Sequence, residues 1–330
     1  MNPRATAGSN AKLWQRAASE VRRCGNLCGE LATRGDGDVA DITRFVRETR
    51  PAIVVAAGGD GTVSEVVQAI MAAGVNPQPA LAIMPLGTAN DIARSFGLWS
   101  FRQRGGAAVE RAVTAWRDGR DHRIDLGHAS TTDRQCYFAG SFALGMDADI
   151  LAMRNRLRRR FHLGRRLSGY PLYLWSCGAN VLARSHGGDV RLRVDGAEQS
   201  ARFYNLLVTN TPQYAGEFRF DADNSVDDGR LDLHLFAGGL DYLRRYPAAW
   251  RRHVHYHRDE PVAPPGLQRV RELQIELTAP LAAQLDGEEW GTASSFTIRA
   301  VPNALVIRVP PPSHQSRVTN HDSVIGMHRG

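Results

Sequence analysis

Lysine is nearly absent: of 41 basic residues Lys12 is the only lysine, so the positive charge is arginine. That bias excludes no chemistry. Cysteine is scarce too, with Cys24, Cys28, Cys136 and Cys177 and no C-x-x-C pair, which excludes a disulfide framework and leads us to expect reduced thiols. Long hydrophobic runs are missing. A spanning helix needs about 20 mainly apolar residues, and the longest candidates, around Ile53 to Ala57 and Ala80 to Leu86, are far shorter. The first twenty residues carry Arg4, Asn10, Lys12, Gln15 and Arg16, so no apolar core of a signal peptide is present. A cytoplasmic location is expected, with any membrane contact peripheral.

What is there is a chain of 330 residues with 43% hydrophobic content, enough to bury a substantial core and to favour two compact units. The net charge of +7 suits anionic lipid, nucleic acid or phosphorylated substrates alike. It excludes only an acidic, solvating protein.

Leu13 to Arg50 has helical periodicity, broken at Gly35-Asp36-Gly37-Asp38. Pro51 to Ala57 is an apolar, partly β-branched run ending at glycines, which predicts a buried strand. Val63, Val66, Val67 and Ile70 then recur at the spacing of a helix packed on a sheet. The pattern repeats with a strand at Ala80 to Met84 and a helix from Asp91 to Phe96 that Gly97 can end. Alternating strands and helices predict a mainly parallel α/β domain over residues 1–125. Beyond Asp125 the expected strands are Tyr137 to Phe142, Val190 to Val194, Phe203 to Thr209, Leu231 to Phe236, Leu273 to Leu277, Phe296 to Ile298 and Ala304 to Val309. They predict an antiparallel sandwich over 126–310, with one helix near Leu172 to Arg184. The polar tail 311–330 is expected to be disordered.

The strongest local signal is Gly58-Gly59-Asp60-Gly61-Thr62-Val63-Ser64-Glu65, between a strand and a helix. Glycines allow close approach of backbone to phosphate, and amides at a helix start favour anions. Thr62 and Glu65 have the spacing of a capping box, which would fix the helix start there. A plain Asp-Gly hairpin turn is the competing reading.

Together with Pro85-Leu86-Gly87-Thr88-Ala89-Asn90-Asp91-Ile92-Ala93, this segment resembles the catalytic domain of diacylglycerol, sphingosine and ceramide kinases. The resemblance implies a Rossmann-like nucleotide domain followed by a sandwich that takes the lipid. ATP would be the co-substrate and Mg²⁺ the metal. It assigns nucleotide contacts to Asn2, Pro3, Thr33 with Gly37-Asp38, Gly58 to Glu65, Gly87, Thr88, Asn90 and Asp91. Asp60 would sit where the phosphates meet Mg²⁺. Asp227-Asp228-Gly229-Arg230-Leu231-Asp232 resembles the family's metal turn, which implies a structural Mg²⁺ on Asp228 and the carbonyls of Ser225 and Arg230; without the resemblance it is an ordinary turn. Leu285-Asp286-Gly287-Glu288 resembles the family's D-G-E, which implies Glu288 as the general base; an ordinary surface turn is the competing reading.

The chain departs from the family at Ala215-Gly216, where a glycine pair is usual, at Ala222-Asp223-Asn224, and at Gly140, often asparagine. The family's first strand precedes Asn-Pro, so a start upstream of Met1 is expected. Arg154, Arg156, Arg158, Arg159, Arg160, Arg165 and Arg166, interleaved with Leu157, Phe161, Leu163 and Leu167, suit either a cytoplasmic membrane surface or a solvated face. His253, His255 and His257 alternate, and an exposed loop is favoured there over a metal site. The expectation is thus an ATP-dependent kinase of a lipid hydroxyl, with diacylglycerol as default acceptor and no nucleic-acid partner; pairing into a homodimer is compatible with the sequence. An NAD kinase and a nucleotide- or lipid-binding regulator without turnover are the alternatives.

Overall fold

The computed structural model describes residues 15, 18–23, 27–34, 37–87, 89–98, 106–161, 186–216, 218–220, 224–254 and 267–311, with backbone alone for 106–109, 157–161, 243, 247, 248 and 250–254. Asn2, Pro3, Thr88, Ala222, Asp223, Arg165, Arg166, the expected helix near 172–184, and the tail beyond 311 lie outside what is described.

The apolar run before the glycines forms β1 (Ile53–Gly58), and the next run forms β2 (Ala80–Pro85). They pair in parallel from Ile53↔Ala80 to Gly58↔Pro85, which brings the two following loops side by side. Between them α2 (Asp60–Ala73) buries Val63, Val66, Val67 and Ile70, the expected stripe, and ends at Gly74 in a left-handed conformation. An earlier helix, α1 (Val39–Thr49), packs alongside and buries Ile42 and Val46. Beyond β2, the short α3 (Asp91–Ser95) stops before Gly97, where φ is +67°. Helix α4 (Gly106–Asp118) then leads into β3 (Arg120–Ser130).

The second half is antiparallel: β4 (Gln135–Phe138), β5 (Ser141–Gly145), β6 (Gly188–Val194), β7 (Ala197–Phe203), β8 (Asn205–Thr209), β9 (Leu231–Phe236), β10 (Leu267–Val270), β11 (Glu272–Leu285) and β12 (Glu288–Val309), with helices α5 (Met146–Phe161) and α6 (Gly239–Val254). It is a β-sandwich with an aromatic and aliphatic core that includes Phe138, Phe142, Phe203 and Phe296. The halves are continuous through β12. Its first part pairs with β11, β3 runs antiparallel along much of it, and Ile307 lies parallel to Leu81 of β2.

Several expectations need correction. The strand expected over Tyr137 to Phe142 is two strands, because Ala139-Gly140 turns its amides out of the ladder toward Asp286. The three short strands expected after residue 272 are two long ones, β11 and β12. Alternation is interrupted at their bulges, so only fragments of each read as strand. β3, β7 and the helices α4, α5 and α6 had no clear pattern. β7, for example, has mostly solvent-facing polar residues. His253 is helical, so the alternation from 253 to 257 does not describe a strand; His255 and His257 lie outside the described residues.

Candidate active site

Helix α2 begins at Asp60, not Thr62. Gly59 occupies the N-cap position and no side chain caps the helix, so the expected capping box does not form. Thr62 is already inside the first turn, buried, with its side chain lying back toward Gly58. Glu65 is drawn elsewhere, its Oε1 accepting from the Asp38 amide at 3.4 Å. That contact docks the Thr33 to Asp38 element onto α2. Asp38 in turn accepts the Arg34 amide at 2.6 Å, and Thr33 is buried.

The glycines serve packing inside the protein. A Cβ on Gly58 would collide with the Thr62 side chain, and one on Gly59 would lie 3.1 Å from the Cα of Gly87. A Cβ on Gly87 would lie 2.8 Å from Asn90 Oδ1 and closer still to the Gly59 backbone. The two loops therefore touch backbone to backbone, and the Leu86 and Gly87 amides both donate to the Gly58 carbonyl, at 2.8 and 3.2 Å. Asn90, at φ +53°, holds the second loop by accepting from the Gly87 amide at 3.0 Å and donating to its carbonyl at 2.9 Å. Asparagine is among the few residues that tolerate this left-handed conformation.

Four carboxylates converge here. Asp60 opens α2 and accepts from the Ile92 amide at 3.3 Å, so it sits at the start of α3. Asp91 accepts from the Gly216 amide at 2.6 Å. Ala215 and Gly216 are both left-handed, at φ +48° and +80°, and this turn presents the amide to Asp91. Burial, reinforced by the charge of Asp60, pushes Asp91 up to about 8, against the pull of Arg94 and the amides. Burial also raises Asp60. Two desolvated carboxyls this close do not both ionise easily at neutral pH.

The other two come from the sandwich. Leu285 pairs with Glu288 across a two-residue turn, with Asp286 at φ +47° and Gly287 at +79°. Both central residues being left-handed is the type I′ hairpin preference that Asp-Gly satisfies. D-G-E is thus a hairpin turn, but not one left on the surface: Asp286 is buried, and Glu288 Oε1 would lie 3.0 Å from a Cβ on Gly61. The sandwich delivers Glu288 onto the first turn of α2. Burial pushes Asp286 up to about 6, partly offset by the amides it accepts.

Sequence reasoning missed how this turn is held. Asp286 accepts from the Gly140 and Ser141 amides at 2.8 Å each and from Ala139 at 3.1 Å. Asn210 donates to the Ala139 carbonyl at 3.0 Å and to the Asp125 carbonyl at 2.8 Å. Asn210 Oδ1 and Thr211 Oγ1 are buried with no hydrogen-bond partner among the described residues. The Asp-Gly pair between alternating strands was the available signal for the turn; nothing in the sequence pointed to Ala139-Gly140-Ser141 as its socket.

The expected metal turn has its own set of contacts. Asp228 is exposed, and its Oδ1 accepts from the Arg230 amide at 2.9 Å. Asp227 pairs with Ser225 Oγ at 2.6 Å and His122 Nε2 at 3.0 Å. Asp125, fully buried, fixes the turn by accepting from Gly229 at 2.6 Å and Asn303 at 2.8 Å. A carboxylate and backbone carbonyls in one turn are hard oxygen donors, the chemistry Mg²⁺ accepts. An apolar cavity of about 750 Å³ beside β1 is lined by Thr33 and Thr62 but not by Asp60, Asp91 or Glu288, so it is separate from the carboxylate cluster. No described helix is long and apolar enough to cross a membrane.

Residues 1–129 match the family described as diacylglycerol kinase catalytic domain, and 140–309 match the YegS C-terminal NAD kinase beta sandwich-like domain. A protein of Chromohalobacter salexigens named "Probable lipid kinase YegS-like" is 40% identical over 231 residues, 68% of each chain. The diacylglycerol kinase of Bacillus subtilis is 26% identical, covering 79% of this chain and 80% of its own. A crystal structure of a diacylglycerol kinase from Bacillus anthracis shares the fold, with TM-score 0.64 at 17% identity over 94% of this chain and 95% of its own. The two loops closed on each other, the sandwich hairpin that reaches them and these likenesses agree: the chain belongs to the diacylglycerol-kinase catalytic family, among its YegS-like members.

Proposed function

We propose that the protein transfers the γ-phosphoryl group of ATP to the hydroxyl of a lipid, with diacylglycerol as acceptor and phosphatidic acid as product. The observation that carries this reading is Glu288 Oε1 poised over Gly61: a carboxylate from one half of the chain meets the glycine loop of the other. A lipid hydroxyl brought between them gives its proton to Glu288 as its oxygen bonds to the γ-phosphorus and the bond to the bridging oxygen of ADP breaks. The amides at the start of α2 face the transferred group and stabilise its charge. Thr33, Gly58 to Glu65, Gly87, Asn90 and Asp91 bound the nucleotide side, where Asp60 would hold the cation that accompanies ATP. Bound Mg²⁺ would supply charge neutralisation at the phosphates. At the separate turn, Asp228 with the carbonyls of Ser225 and Arg230 would hold a second, structural Mg²⁺. The arginines of α5 would meet an anionic membrane surface.

Incubation with ATP and a panel of diacylglycerol, monoacylglycerol, ceramide and sphingoid base, with mass detection of the phosphorylated lipid, tests the acceptor. Phosphatidic acid as the main product is expected. Preferential phosphorylation of another acceptor would replace diacylglycerol in this reading, and ATP binding without any lipid product would favour a regulator.

A further inference from the structure

We propose that Asp286 is a positioning residue for Glu288: its carboxylate locks the β11–β12 turn into an amide socket made by Ala139, Gly140 and Ser141, and so sets where Glu288 meets the glycine loop. This rests on Glu288 as the proton acceptor.

The socket is built from both sides. Oδ1 of Asp286 takes two amides and Oδ2 the third, while the Asp286 amide donates to the Ser141 carbonyl at 2.8 Å. The Gly287 amide is held by Gln284 Oε1 at 2.8 Å. On the other side, the Asn210 amide donates to the Gly140 carbonyl at 2.8 Å and its side chain holds the Ala139 carbonyl, which leaves the three N–H groups facing Asp286. Gly140 has a steric reason to be glycine: a Cβ there would lie 2.9 Å from Asp286 Oδ1, tighter than carbon and oxygen tolerate, against a carboxylate that three amides keep from moving.

Only one residue separates Asp286 from Glu288, and both central residues of the turn are in a left-handed conformation. Rotation of the turn therefore passes directly to Glu288. Asp286 itself has its oxygens on backbone amides, so it acts through Glu288 and not on the substrate.

The test is a double-mutant cycle in the full chain with Asp286→Ala, Gly140→Ala and the pair, reading kcat and KM with diacylglycerol and ATP, ATP affinity by direct titration, and Tm. Misplacing a reacting group by an ångström costs about 100-fold, so Asp286→Ala is expected to lower kcat about that much while ATP affinity stays within about twofold. Gly140→Ala is expected to lower kcat alone, and to have no further effect when added to Asp286→Ala. Asp286→Asn, which keeps an oxygen for Gly140 and Ser141 but offers an N–H to Ala139, is expected to fold and to fall between wild type and Asp286→Ala; it carries the test if the alanine variant does not fold. Wild-type kcat in Asp286→Asn and Gly140→Ala, independent effects in the cycle, or loss of ATP binding in step with kcat would overturn the proposal. Glu288→Gln measured alongside separates the two claims: turnover in that variant defeats the proton-acceptor reading, whereas an inactive Glu288→Gln beside a fully active Asp286→Asn defeats the positioning role alone.

Discussion

Gly87→Ala tests whether the two glycine loops are held together by direct backbone contact. The new methyl carbon would lie 2.8 Å from Asn90 Oδ1 and nearer to the Cα of Gly59. Neither neighbour can swing aside, since one is backbone and the other is bonded to Gly87 on both sides. Overpacking costs about 1–3 kcal/mol, and losing the Gly87–Asn90 hydrogen bond adds about 1 kcal/mol, so a destabilisation of about 3 kcal/mol follows. That corresponds to a fall in Tm of roughly 6 °C or more for a domain of this size. Gly59→Ala, with its nearest contact at 3.1 Å, is expected to cost less, and Gly238→Ala, with nothing within 4 Å, to change Tm very little. Differential scanning calorimetry with ATP titrations on the three variants gives the order. Equal Tm for Gly87→Ala and Gly238→Ala would refute the packing argument.

Asp91 keeps its proton in the folded chain up to about pH 8, whereas an unfolded aspartate loses it near pH 4. The native state therefore binds the extra proton between those values, and this residue makes stability fall as pH rises from about 4 to about 8. Asp91→Asn should flatten that slope, and urea midpoints at pH 5 and 8 that decline as in wild type would count against it. Ala215 at φ +48° bears a left-handed cost of about 1 kcal/mol, so Ala215→Gly should leave stability unchanged or slightly raised; a marked loss by thermal denaturation would show that the methyl group is needed. In the sandwich, Asp147 is buried and accepts from Tyr242 at 2.8 Å, from Tyr246 at 2.8 and 2.6 Å, and from Asn205 at 2.6 Å. Asp147→Ala removes those hydrogen bonds from a buried network and should cost about 3 kcal/mol or more, read as a lower urea midpoint; a midpoint like that of wild type would contradict the network.

Strands β1 and β2 and helix α2 were legible because an apolar run or an apolar stripe reports burial on a fixed face, and each here has one. Helix α5 was not: its arginines dilute the periodicity. The glycine-loop sequence pointed to the place where the two loops and the carboxylates meet but misled on the local helix start. Thr62 and Glu65 have capping-box spacing, yet the N-cap is Gly59, three residues earlier, where the parallel pairing of β1 and β2 brings Gly87 against it. Long-range contacts explain the rest. Asp286 reaches residues 139–141 across nearly half the chain, and Asp91 meets Gly216 only because the sandwich folds back onto the nucleotide half. Local periodicity carries no record of either.

Glu288, supplied by the sandwich, is the group we propose takes the proton of the acceptor hydroxyl at the glycine loop. The most direct test of that role is the pre-steady-state rate of γ-phosphoryl transfer from labelled ATP to diacylglycerol in wild type and Glu288→Gln, with ATP affinity measured on both. Glu288→Gln should lower the transfer rate about 100-fold or more with ATP binding retained; transfer at the wild-type rate would rule out Glu288 as the proton acceptor.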